Sequence, residues 1–307
     1  MADLFNRLVS VPFLRLLNRL ACDTACRVGG NLGLLAWRLG IRRRLAQRTL
    51  TETLGLRGHR RQKILKRSYA TMGASFLELF TVGGPDGPER HLHYANPQWQ
   101  ALVHRRHPAS VFVTAHLGCW DMAAASQRRF CSRLLAYVKA QHNPPVDAYV
   151  NQLRERAGFE VLLAMHGDRS TALKVVRALR QGAPLGLLAD QRPWAEHGAP
   201  GFFLGIPTWC LPGAGFFAER CRVPLVPGFA VRTRAGRITM FLGRPMPPRG
   251  DEAATMQAGL DALSAMIAAF PGQYFWQHNR FRVRLDLPPC ADASWRHLGL
   301  RQLLTGR

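Results

Sequence analysis

Beyond residue 88 the chain alternates short apolar, β-rich runs with helical stretches, and this alternation limits its fold more than any other feature. The β-rich runs fall at 111–115, 134–138, 159–163, 185–189, 225–231 and 238–242. Helical stretches lie between or after them at 122–130, 147–157, 171–181, 211–221 and 252–270. Strands that alternate with helices predict an α/β fold with a mostly parallel sheet flanked by helices. Residues 1–82 read as helical, with Pro12 and Gly29-Gly30 as breaks. The turn cluster Gly83-Gly84-Pro85-Asp86-Gly87-Pro88 marks the best boundary. The expected organisation is an N-terminal helical region over 1–82, an α/β core over 83–290 and a tail over 291–307. The segment 197–218 has no Asp, Glu, Lys or Arg but five glycines and three prolines, and it reads as a loop-rich segment and not a membrane span.

Charge sets the class of partner. The chain has 42 basic and 19 acidic residues, a formal net charge of +23. Only Lys63, Lys66, Lys139 and Lys174 are lysines, so 38 of the basic residues are arginine. Guanidinium groups hold phosphates and carboxylates bidentately. Such a surface seeks polyanions: nucleic acid, anionic lipid headgroups or an acidic carrier protein. Residues 1–70 carry fifteen basic and three acidic side chains, mixed with Leu4, Phe5, Phe13, Leu16, Leu35 and Trp37. Arginine among bulky apolar residues on helices points to a surface that lies on an anionic membrane. No apolar run reaches the length of a spanning helix, and the N-terminus lacks the pattern of a signal peptide. Seven cysteines with no C-x-x-C pair suggest neither a disulfide framework nor a zinc knuckle. His91, His93, His104 and His107 match no zinc spacing, so no metal is expected. Nucleic-acid binding stays open on charge alone, but no helix-turn-helix, RRM or zinc-finger pattern occurs. Gly213-Ala214-Gly215-Phe216-Phe217-Ala218 follows no predicted strand, and a dinucleotide site is not expected there.

The segment that carries chemistry is Val111-Phe112-Val113-Thr114-Ala115-His116-Leu117-Gly118-Cys119-Trp120-Asp121. A strand runs into His116, a turn follows at Gly118, and Asp121 opens a helix. Five residues apart on one helix, the two side chains would diverge by about 140°. On a strand-turn-helix they can face each other. Sites in open parallel sheets lie beyond the carboxyl ends of strands, where His116 falls. Asp121 is expected to accept a hydrogen bond from one ring nitrogen, leaving the other to take a proton from a hydroxyl.

His116-Leu117-Gly118-Cys119-Trp120-Asp121 resembles the His-X4-Asp/Glu motif of glycerolipid-type acyltransferases, and the Gly and Trp resemble the lipid A biosynthesis (lauroyl/myristoyl) branch. Three further segments stand in that family's order. Tyr137-Val138-Lys139 leads to Asn143-Pro144 and to the run 151–158. Leu188-Ala189-Asp190-Gln191 precedes Phe202-Phe203-Leu204-Gly205-Ile206-Pro207. Near the end, the run 271–282 resembles the closing Trp and Arg-Phe-Arg signature. Two departures occur: an extra residue at Leu204, and Trp209-Cys210-Leu211-Pro212 in place of small hydroxyl residues.

The resemblance implies transfer of a fatty acyl group from a thioester to a hydroxyl of a membrane glycolipid. It makes His116 the general base and Asp121 its orienting acid. Arg154 or Arg156 would hold an acceptor phosphate, with Asp190 and Gln191 at the substrate edge. Donors near Gly118 or an arginine would meet the oxyanion. It implies no bound cofactor, with an acyl thioester of acyl carrier protein or coenzyme A as co-substrate. The partners it implies are anionic lipids and an acyl carrier protein, at the cytoplasmic face of a bacterial inner membrane. Another phospholipid, glycolipid or aminolipid acceptor would need the same chemistry.

Overall fold

A computed structural model describes residues 11–84, 88–139, 143–164, 169–193, 197–233, 237–290 and 294–298. The first ten residues, positions 85–87 of the turn cluster and most of the expected tail over 291–307 lie outside the described residues. Among the described residues four helices come first: α1 (Val11–Leu17), α2 (Cys22–Arg38), α3 (Arg43–Leu54) and α4 (Gly58–Leu79). The α/β body follows as β1 (Leu92–Tyr94), α5 (Pro97–Arg106), β2 (Val111–Thr114), α6 (Trp120–Gln127), β3 (Leu135–Lys139), α7 (Pro144–Arg156) and β4 (Glu160–Ala164). It continues with α8 (Arg169–Arg180), β5 (Leu185–Leu188), β6 (Ala199–Phe203), β7 (Ile206–Cys210), α9 (Gly213–Cys221), β8 (Leu225–Arg232), β9 (Ile238–Leu242) and α10 (Glu252–Ala269).

The sheet has seven strands in the order β1-β9-β8-β2-β5-β3-β4. Strands β8, β2, β5, β3 and β4 are parallel; β9 joins β8 antiparallel, and β1 runs with β9. This is the mostly parallel α/β architecture that the alternation predicts. Strand side chains alternate between two apolar layers. Val111, Val113, Leu185 and Leu187 pack with Val175 and Leu179 of α8, Phe217 of α9, and Leu260 and Leu263 of α10. Phe112, Ala136, Val226 and Met240 pack on the other face with Val103 of α5 and Met122 of α6. Covered on both faces, the central strands read as continuous apolar runs.

Two local expectations change. Gly29-Gly30 does not break the N-terminal run but lies inside α2, because α2 and α4 cross with their backbones in contact. A Cβ at Gly29 would strike the Gly73 carbonyl, and one at Gly33 the Tyr69 carbonyl. Small side chains are what permit that approach. Segment 197–218 is less loop-rich than expected: β6 and β7 form an antiparallel hairpin ahead of α9, the helix expected over 211–221. Leu204 and Gly205 make its two-residue turn with φ of 51° and 80°, both in the left-handed region that such tight turns require. Leu204 holds that position with its side chain buried and its N–H donated to Ser264 Oγ at 3.1 Å.

The N-terminal helices join the body. Leu50 of α3 and Leu65 of α4 belong to the main core, while Leu14 of α1 packs on Tyr149 and Leu153 of α7. Among the described residues no helix is long and apolar enough to cross a membrane.

Gly33→Ala is predicted to lower unfolding stability by about 1–3 kcal/mol through overpacking. Gly30→Ala, whose Cβ would meet only an ordinary contact at 3.7 Å, raises it by about 0.5–1 kcal/mol. Urea denaturation of the two variants checks this opposition in sign.

Candidate active site

The β2–β5 ladder builds the site. Its parallel register sets Thr114 against Leu188, and the Ala189 N–H donates to the Thr114 carbonyl at 3.0 Å. Two residues past that pair, His116 and Asp190 therefore face each other beyond the carboxyl ends of adjacent strands. His116 Nδ1 lies 2.9 Å from Asp190 Oδ1. His116 Nε2 lies 3.1 Å from the Gln191 amide nitrogen. The ring is flanked by Trp120, with centroids 5.0 Å apart, and Phe275, at 6.2 Å.

Asp190 is 2% exposed. Burial pushes its carboxyl up, but the charge and hydrogen bond of His116 more than offset this and hold it below the usual carboxylate value. Tyr274 is likewise buried; burial and the hydrogen-bonded Asp190 beside it push its phenol well up, so the hydroxyl stays a donor. Burial pushes His278 down to about 4; the facing Asp190 opposes this, while His116, Arg280 and Arg192 add to it. His278 is therefore neutral at neutral pH, its Nδ1 buried without a partner.

Asp121 does not take the position expected of it. Its carboxylate receives Arg154 Nε at 2.9 Å, and Arg154 Nη1 donates to Asn151 at 3.2 Å. The partner of His116 Nδ1 is instead Asp190, which strand pairing brings in from 74 residues away. Arg154 and Arg156 separate as well. Two residues apart on a helix they point about 160° from one another; Arg154 turns to the site, whereas Arg156 is exposed beside Gly83.

Gly118 is a backbone device. Its φ is 60°, and a Cβ there would strike the Ala230 carbonyl. Its N–H donates to the Gln273 carbonyl at 2.9 Å, and the Cys119 N–H to Ala230 at 2.7 Å. Neither amide is left to meet an oxyanion. Beside the turn, Cys119 is fully buried, and burial followed by the neighbouring Glu78 pushes its thiol well up. A thiol in that state is no nucleophile.

The turn is held from behind by parts that sequence reasoning did not assign. Ser75 of α4 donates to the Gly118 carbonyl at 2.7 Å. Glu78, also on α4, is buried and ion-paired with Arg232 at the end of β8, and it accepts from Cys119 Sγ at 3.5 Å. The segment 273–275 runs alongside. Phe275 N–H donates to the His116 carbonyl at 3.1 Å, and Leu117 bridges to Tyr274. The only sequence signal for this support is the closing 271–282 run, which has no visible tie to His116 until the chain is folded.

An apolar recess opens between α6 and the sheet, lined by Phe112, Ala124, Ala136, Val138, Phe159 and Met240. Trp120, Asp121 and Arg154 also border it, and Trp120 is the ring that packs on His116. Among the described residues no cluster of His, Cys, Asp or Glu could hold a metal ion.

The site is thus a carboxylate-bonded imidazole at the carboxyl edge of a mostly parallel sheet, near an apolar recess. The chain matches the family model of bacterial lipid A biosynthesis acyltransferases over residues 5–283, and it belongs to that family. A search of curated proteins gives no match.

His278 predicts a pH dependence of stability. Its folded pKa, near 4, lies below the unfolded value of 6.5. The unfolded chain therefore binds a proton first, and stability falls as pH drops from about 6.5 towards 4. Replacing His278 with Gln should flatten that slope, read from urea midpoints at pH 7 and pH 5.

Proposed function

We propose that this protein transfers a fatty acyl group from a thioester to a hydroxyl of a membrane glycolipid resembling a lipid A precursor. The observation that carries the reading is His116, its Nδ1 held by buried Asp190 and its ring packed on Trp120, a residue that lines the apolar recess. Family membership supports the reaction class.

In this mechanism Asp190 keeps the imidazole proton on Nδ1 and stabilises the imidazolium that forms. His116 Nε2 takes the proton of the acceptor hydroxyl as its oxygen attacks the thioester carbonyl. A C–O bond forms and the C–S bond breaks. The proton passes back from Nε2 to the leaving sulfur, so no side-chain nucleophile is acylated. Negative charge gathers on the carbonyl oxygen, and the Arg154 guanidinium, fixed by Asp121 and Asn151, would meet it. The acyl chain would lie in the apolar recess. The proposed donor is an acyl carrier protein or coenzyme A thioester, with no bound cofactor or metal.

The proposed place of action is the surface of an anionic membrane, at the cytoplasmic face of a bacterial inner membrane. Val28, Leu32, Leu35 and Leu39 fall on one face of α2 and its C-cap, spaced four, three and four residues apart. All four are exposed, Leu39 by 69%. Phe13, Leu16 and Ile41 add exposed apolar surface. Phe76 of α4 is exposed too, yet its ring lies 5.4 Å from Trp120 and 5.6 Å from Phe275, the two rings that flank His116. A bilayer against the N-terminal helices would bring a lipid hydroxyl to the imidazole. The arginine excess of residues 1–70 would hold anionic headgroups.

His116→Ala and Asp190→Asn are each predicted to cut acyl transfer from labelled acyl carrier protein by about 10²–10⁴-fold with folding retained. Full activity in a well-folded His116→Ala protein would refute the mechanism. Leu32→Glu with Leu35→Glu is predicted to weaken binding to anionic vesicles about tenfold or more, measured by co-sedimentation at fixed salt.

A further inference from the structure

Both polar atoms of the His116 ring are claimed by consecutive residues at the end of β5. Asp190 takes Nδ1 and Gln191 takes Nε2. With the proton fixed on Nδ1 by a carboxylate, Nε2 carries a lone pair. Only the NH₂ of the Gln191 amide, and not its oxygen, can bond to that lone pair. Trp120 and Phe275 flank the ring through their faces and edges, and the hydrogen bond to Nε2 is that of Gln191. The atom that must accept the substrate proton is thus already occupied by a donor of this chain.

We propose that Gln191 is a gate on the base: its amide stands where the acceptor hydroxyl will stand and keeps water from being activated there. This rests on the acyl-transfer reading above. His116 keeps 16% of its side chain exposed, so water can reach the ring. A bound thioester beside an open imidazole would be hydrolysed. His116 Nε2 would take a proton from water, the water oxygen would attack the carbonyl, the C–S bond would break, and the proton would pass to sulfur. The products would be a fatty acid and a free thiol.

A lone water that displaces the Gln191 amide exchanges one hydrogen bond for another and gains nothing. A lipid hydroxyl arrives with the binding energy of its headgroup and chains, which can drive the amide aside. The gate therefore selects for an anchored hydroxyl over water.

The test measures free-thiol release and lipid acylation together in the full-length protein, with acyl carrier thioester in the presence and absence of acceptor lipid. Gln191→Ala should raise hydrolysis without acceptor by about five- to tenfold, the factor that one net hydrogen bond supplies, and so raise the ratio of hydrolysis to transfer. Gln191→Asn keeps an amide but is one methylene too short to reach Nε2, and it should do the same if the alanine variant does not fold. Adding His116→Ala should abolish the extra hydrolysis. If hydrolysis is unchanged in a folded variant, or falls in step with transfer, the gate is wrong and Gln191 is a substrate contact or a support. If the wild-type protein cleaves no thioester, or if His116→Ala cleaves it normally, it is the acyl-transfer reading that fails.

Discussion

The site depends on one hydrogen bond, from His116 Nδ1 to Asp190, made across the open ends of two paired strands. Its geometry comes from the ladder: once Thr114 is registered against Leu188, the residues two further on must meet. Its strength comes from burial. A carboxylate removed from water is costly unless it is bonded, and the donors around Asp190 include the His116 imidazole, the His116 backbone N–H and the Tyr274 hydroxyl. The same bond fixes the tautomer, so under the proposed function strand pairing would set the direction in which His116 takes a proton.

The remaining structure keeps the loop after His116 from moving. Gly118 turns the chain where any side chain would strike β8, and its amide and carbonyl are tied to Gln273 and Ser75. The Glu78–Arg232 ion pair joins α4 to β8 behind that turn. Removal of either partner would strand a buried charge, a loss of about 3–5 kcal/mol in comparable pairs. Helices α1–α4 are thus more than an appendage on the α/β body: α4 carries the two side chains that brace the turn after His116, and α2 is locked to α4 by glycines. The surface that would touch a membrane and the base that would act on a lipid are mounted on one support.

Much of this was legible in the sequence, for specific reasons. The doubly covered strands are apolar throughout, so their positions and the parallel sheet could be read from short runs. His116 could be placed at a strand end because an apolar run stops there and a glycine follows. Its partner could not be chosen correctly. Asp121 is near in sequence, whereas Asp190 is near only because β5 inserts between β2 and β3, an order that no local pattern reveals. Asp121 instead neutralises Arg154. The β6–β7 hairpin was hidden because Leu204 holds a turn position that asparagine or glycine usually signals, and because Pro200 and Pro207 suggested loop. Both are tolerated in a two-stranded hairpin, where each strand has one side outside the ladder of the pair. The glycines of α2 read as a break, since the backbone that fills their empty side belongs to α4, some forty residues away.

The central claim is that Asp190, and not Asp121, directs the base. Histidine-selective NMR of the His116 ring tests it most directly, through the low-field proton on Nδ1 and the tautomer it reports. That signal should be present in the native protein, survive Asp121→Asn and be lost or strongly shifted in Asp190→Asn. A signal that persists in Asp190→Asn and vanishes in Asp121→Asn would contradict the account.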